Sequence, residues 1–191
     1  MNVKKELASS LRLCAWGMIF LMLDINISVF DILPDVFGWV LLLVGVQRLA
    51  KYRQEASHLR VFALVLIINE TFTLVGKMFG GEVYEDILAL TLLIYVISLY
   101  FYFAFFTCAA NIADEYAPEI KSPIIAGRNV YSVLFCFNTL LMFFEDVSAL
   151  SVVSLIVTPF ALVGICICLF SLAKELASEE DEDENENAAE F

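Results

Sequence analysis

The sequence predicts an all-α, polytopic fold: a transmembrane helical bundle of six spans arranged as three hairpins, with both termini cytoplasmic. Three observations carry that expectation. Of the 191 residues, 61% are hydrophobic and 14% aromatic, and the mean hydropathy is +0.82, whereas a soluble domain is roughly 45–50% apolar. A water-soluble core of this size cannot hide so much apolar surface, so lipid must be the solvent for most side chains. The apolar residues fall into six segments separated by short polar stretches, and ten of the eleven lysines and arginines fall on one side of the resulting stack.

The first segment covers about residues 11–30. Lys4, Lys5 and Arg12 precede it as they would a secretory signal, but no small-x-small cleavage pattern follows, so it reads as an uncleaved span. The second, about 34–50, is roughly 25 Å long, short for a hydrocarbon core of about 30 Å. Pro34 suits its first helical position, where the missing N–H has no intrahelical partner. The third covers about 59–79, and Gly80 and Gly81 supply the turn that ends it. The fourth covers about 84–113, the fifth 129–144 and the sixth 148–173. Pro118 and Pro123 are expected to break the loop between the fourth and fifth, and Pro159 to kink the sixth.

Lys4, Lys5, Arg12, Arg48, Lys51, Arg53, Arg60, Lys121, Arg128 and Lys174 share one face, which the positive-inside rule makes cytoplasmic; Lys77 alone lies near the other. The three hairpins share an arginine at the start and an aromatic followed by an acid at the turn, a weak threefold regularity that membrane rules alone also produce. The formal charge of −12 belongs to the tail: residues 175–191 hold nine acidic groups and no Lys or Arg, leaving eleven basic against fourteen acidic groups before them. The chain thus divides into a membrane domain, 1–174, and an acidic tail, 175–191, too polar to fold. A basic patch for phosphates is missing, which excludes nucleic acid as a partner. The expected partners are the lipid bilayer and a membrane protein or second copy of the chain.

Chemistry is sought among polar groups at membrane depth, which are costly to place there. The first segment carries Asp24, Asn26 and Ser28, the third Asn69 and Glu70, and the fifth Asn138. If the three odd-numbered helices meet, these groups cluster between them, either as a proton or cation site or as hydrogen-bonded glue between helices. Asp24, Ser28, Asp31 and Asp35 are spaced 4, 3 and 4 apart, one helical face. Pro34 interrupts that helix and takes Asp35 off the face, leaving a polar track of Asp24, Ser28 and Asp31 with a turn at Asp31, Pro34 and Asp35. Gly38 and Gly45, seven apart, open one face of the second helix to close approach.

The aromatic residues of the fourth segment, together with Trp16 and Trp39, read as packing or interface anchors, and His58 as solvated. Cys14, Cys108, Cys136, Cys166 and Cys168 sit in apolar segments without nearby metal-ligand spacing, so no disulfide and no metal are expected. HExxH, GxSxG, P-loop and dinucleotide motifs are absent from the sequence. The reading is therefore of a non-enzyme without cofactors. Its preferred role is a membrane component that binds another membrane protein or lipid through the Gly38 and Gly45 face or the inner loops; the alternative is a small proton- or cation-coupled transporter or channel using the intramembrane acids.

Residues 23–46 add a resemblance. Asp24, Asn26, Asp31, Leu33, Pro34, Asp35, Gly38 and Trp39 match a pattern, D-x-N-x4-D-[IL]-L-P-D-[FIV]-x-G-[YW], that resembles uncharacterised multi-pass membrane proteins of Gram-positive bacteria, chiefly clostridia and bacilli. The resemblance implies a bacterial cytoplasmic membrane protein and supplies no activity.

Overall fold

A computed structural model describes residues 3–22, 33–78, 88–141, 143 and 148–189. Their secondary structure is helical throughout: α1 (Val3–Met22), α2 (Leu33–Leu49), α3 (Leu59–Met78), α4 (Leu88–Tyr116), α5 (Pro118–Leu141) and α6 (Ser148–Ala189), with a 3-10 turn at Gln54–Ala56 between α2 and α3. Helices satisfy every backbone group within the segment, the condition a hydrocarbon solvent imposes. Four stretches are long and apolar enough to cross a membrane: Gln54–Gly76, Leu88–Tyr116, Pro118–Leu141 and Ile156–Ser178. Neither α1, which carries Lys4, Lys5, Glu6 and Arg12, nor α2, with 17 residues, is among them over its described length.

Three boundaries differ from the sequence expectation. α1 begins at Val3, well before residue 11. The expected loop between the fourth and fifth segments is helical, and only Ala117 separates α4 from α5. Pro118 takes the first helical position, where its lack of an N–H costs nothing, and Pro123 is exposed one turn later. α6 continues to Ala189, through the acidic segment expected to be unstructured. Extending an existing helix avoids the cost of nucleation, and Glu and Ala are good helix formers.

The helices alternate in direction and pack mainly on their neighbours in sequence, with α6 closing a ring against α1. On one side, the Gly17 position of α1 crosses Gly38 of α2 so tightly that a Cβ on either would lie 2.8 Å from the carbonyl oxygen of the other. One end of α2 packs equally close, since a Cβ on Gly45 would sit 2.3 Å from Cys14 Sγ. The sequence expectation that this glycine face admits a helix is met, and the helix is α1 of the same chain. Ring closure is seen in Trp16 edge-on to Phe170 at 5.7 Å and Arg12 Nη2 donating to the Ala173 carbonyl at 3.4 Å. All five cysteines are free.

Charged side chains tie together the end of the ring that carries Val3, called here the terminal end. Arg53 pairs with Glu115, Lys121 Nζ lies 2.8 Å from Asp114 Oδ1, and Asn111 Nδ2 donates to Glu55 Oε2 at 2.8 Å. Arg128 donates to Thr107 Oγ1 at 2.9 Å with its guanidinium 4.4 Å from the Phe103 ring centroid. The Arg53–Glu115 pair is exposed enough for water to screen it, with 23% and 49% of the two side chains accessible. Glu115→Gln should therefore cost no more than about 1 kcal/mol, and the cost should shrink as salt is raised; unfolding midpoints at low and high salt measure both.

Candidate functional site

The buried core occupies only the terminal part of the ring. It contains Leu7, Leu11, Leu42, Leu49, Leu59, Phe101, Phe105, Phe106, Ile112 and Ile124, all at most 1% exposed. Proceeding towards the opposite, distal end, burial stops on every helix at Met18, Gly38, Leu66, Phe101, Tyr131 and Leu162. Beyond those positions only Gly76 and Ser154 are buried among the described side chains.

Helical spacing shows what takes over from the apolar residues. On α2, the buried positions Leu49, Val46, Leu42 and Trp39 are spaced 3, 4 and 3 apart, and the next step of 4 falls on Asp35. On α3, Leu59, Ala63 and Leu66 lead by the same steps to Glu70. On α5, Ile124 and Tyr131 are seven apart, and seven more gives Asn138. On α6, Leu162 is followed at intervals of four by Thr158 and Ser154. In each case the helical register that is apolar in the core turns polar in the distal half, where Asp35, Glu70, Asn138 and Thr158 are half-buried and Ser154 is fully buried. On α3 the exposed outer surface is formed by Val61, Leu64, Ile68, Phe72 and Val75.

Tyr102, 6% exposed, forms the floor of this polar interior. Its ring lies 5.8 Å from Trp39, 5.2 Å from Tyr131 and 6.0 Å from Phe106. Trp39 follows Asp35 by one turn, so its contact with Tyr102 directs the Asp35 face towards α4. The Tyr102 side chain is within electrostatic reach of Tyr131, Cys166, Asp35 and Glu70. Between α5 and α6, Asn138 Nδ2 donates to Thr158 Oγ1 at 2.9 Å, and Thr158 Oγ1 donates to the Ser154 carbonyl at 2.8 Å. Asn69 Nδ2 lies 3.4 Å from Oε1 of the adjacent Glu70.

This arrangement differs from the cluster expected between the odd-numbered helices. α3 packs chiefly on α2 and α4, and α5 on α4 and α6; a chain that turns back after each helix brings odd helices next to even ones. Glu70 therefore shares its region with Asp35 of α2 and Tyr102 of α4, while Asn138 bonds to α6. Asp24, Asn26, Ser28 and Asp31 lie outside the described residues, as does the side chain of Pro34. Asp35, which Pro34 removes from the face of the first helix, joins the interior through the face of the second. Asn69 stands beside that interior, on the flank of α3. Sequence reasoning took Tyr102, with the other aromatics of the fourth segment, as a packing residue and missed Thr158 and Ser154; the i and i+4 spacing of Ser154 and Thr158 beside Pro159 was the available signal. Among the described residues no group of His, Cys, Asp or Glu is placed to hold a metal ion. No family model, curated protein or solved structure matches the chain.

Proposed function

We propose that the protein is a six-span component of the bacterial cytoplasmic membrane that takes up a proton or a small cation between Asp35 and Glu70, and that it works as a small proton- or cation-coupled transporter or channel. The observation that carries this reading is the continuation of two buried helical faces, on adjoining helices, into a carboxylate each. Both side chains are half-buried, and placing a carboxylate at membrane depth carries a cost that binding a proton or a cation offsets. Concentration of lysines and arginines at the terminal end supports cytoplasmic termini, which makes the distal, polar half of the interior the one nearer the outside. The apolar plug of Phe101, Phe105 and Phe106 closes the cytoplasmic half.

The other reading, a non-enzymatic component that docks on a membrane protein, draws less support. Its glycine face is filled by α1, which leaves it the surface at the terminal end. The two readings separate in liposomes holding the purified full chain. With a pH-sensitive dye inside and an imposed proton or cation gradient, the parent should dissipate the gradient faster than empty vesicles. The combined variant Asp35→Asn, Glu70→Gln should reduce that rate at least about tenfold, equivalent to about 1.4 kcal/mol on the transport barrier. Equal rates for parent and variant would end this proposal.

A further inference from the structure

We infer that the outer valley between α1 and α6 binds one anionic phospholipid at the terminal end of the ring, with Arg12 and Lys174 holding its phosphate and Trp16, Phe170 and Ile167 lying along an acyl chain. Arg12 and Lys174 are both exposed, and neither forms an ion pair among the described residues. Arg12 makes one long contact, from Nη2 to the Ala173 carbonyl at 3.4 Å. That contact draws the guanidinium against α6, one residue from Lys174, and leaves most of its N–H donors for another acceptor. Three other cations of this end are held by the protein. Arg53 pairs with Glu115, Lys121 with Asp114, and Arg128 donates to Thr107 Oγ1 and Asn129 Oδ1.

Helical register places the two free charges at the head of an apolar line. On α6, Val163, Ile167, Phe170 and Lys174 follow at steps of 4, 3 and 4, and Phe170 meets Trp16 of α1 edge-on at 5.7 Å. On α1, Arg12 lies four residues before Trp16, whose ring is 52% exposed. Glu175, adjacent to Lys174 in sequence, lies about 100° around the helix from it and away from α1. Lys174 is four residues from Ser178, where the membrane-crossing stretch of α6 ends, a rise of about 6 Å. At that depth a long basic side chain reaches the headgroup layer and an indole sits at the interface. Basic positions between helices at this level recognise anionic headgroups, and a guanidinium matches a phosphate bidentately. A zwitterionic lipid carries its own cation beside the phosphate and gains less from the pair.

The probe is phosphatidylglycerol with brominated acyl chains, titrated into the purified full chain in phosphatidylcholine mixed micelles, with brominated phosphatidylcholine as the reference. Bromine quenches an indole only at close range, and of the two tryptophans Trp16 is open to lipid while Trp39 is 5% exposed. The parent should be quenched by the anionic lipid at a mole fraction about fivefold or more below that needed for the zwitterionic one, the size expected from a single basic side chain near the surface. Combining Arg12→Gln with Lys174→Gln should bring the two curves together. Arg12→Lys should keep a preference, and Lys121→Gln, which removes one charge from the same end outside the valley, should leave it intact. The valley lies on the outside of the ring and does not rest on the Asp35 and Glu70 reading, so Glu70→Gln should also leave it intact. Coincident curves for the parent overturn the inference. So does a preference that survives in the double variant or in Trp16→Phe, or one that Lys121→Gln abolishes equally.

Discussion

Gly38→Val is expected to destabilise the protein by about 3 kcal/mol, at the upper end of what overpacking a tight contact costs. The obstruction is backbone rather than side chain: the first carbon added meets the Gly17 carbonyl oxygen at 2.8 Å, with Leu21 Cγ at the same distance. A carbonyl in a helix cannot rotate aside, so α1 and α2 must separate along their length. Gly45→Ala tests the same interface with a different obstacle, since its Cβ would meet the Cys14 thiol at 2.3 Å and the next atom, the Ser10 carbonyl oxygen, at 3.1 Å. Combining Gly45→Ala with Cys14→Ala should recover most of the loss, a non-additivity that a double-mutant cycle reads directly. Gly164→Ala is the control, because nothing lies within 4 Å of its Cβ; an exposed helical glycine replaced by alanine should gain up to about 1 kcal/mol. Reversible unfolding in mixed micelles measures all five variants, the Cys14→Ala single included, and a neutral Gly38→Val would mean that α1 and α2 do not cross at these glycines.

The second large effect is expected from Phe105→Ala, at about 2–3 kcal/mol, the cavity part of what such a truncation costs in a soluble core. Phe105 is fully buried, stacked 6.3 Å from Phe101 and edge-on 5.7 Å from Phe106. Lipid offers side chains an apolar environment as good as the protein interior, so burial alone stabilises little there. What alanine removes is close packing, and the void left among Phe101, Phe106 and their neighbours cannot be filled by a lipid chain. Phe160→Ala should cost less than about 1 kcal/mol, since that ring is 72% exposed and exchanges one apolar surface for another. A similar loss for both substitutions would contradict the division of the ring into a packed terminal half and a polar distal half. That division also predicts where core substitutions matter most, namely on the terminal side of Tyr102.

Helix existence was legible in the sequence, and three starts were placed closely: the second helix near Pro34, the third at Leu59 and the sixth at Ser148. Apolar segments in a membrane protein announce themselves through length and composition, which require no knowledge of neighbours. Helix ends outside the apolar stretch were less legible. The region around Pro118 and Pro123 looked like a loop because proline usually interrupts helices, yet at Pro118 it starts one. For the site, the residue types were visible and their grouping was not. Glu70 was singled out as an interior acid, and it is half-buried in helical register with Leu59, Ala63 and Leu66 of α3. Its neighbours depend on which helices touch, and spacing along one chain carries no information about that. Asp35 shows the point most clearly: excluded from one helical face by Pro34, it belongs to another, the line through Trp39 and Leu42. Ser154 and Thr158 carried no individual signal, since serine and threonine are common in apolar helices; the hydrogen bond from Asn138 distinguishes Thr158, and a buried Oγ without a partner distinguishes Ser154.

The single residue between α4 and α5 has a consequence for how this chain tolerates change in length. Ala117 leaves no slack, and its own N–H donates to the Ala113 carbonyl at 2.8 Å, continuing the helical pattern into the joint. An added residue at this joint cannot be absorbed as a bulging loop. It must be accommodated by turning α5 about its axis by about 100°, the rotation of one helical residue. That rotation would swing Ile124, Tyr131 and Asn138 together out of the ring and bring Pro123, Val130 and Phe137 into their places. The joint therefore sets the angular phase of α5, so insertions elsewhere in the terminal connections, such as that between α2 and α3, should be far better tolerated than one here.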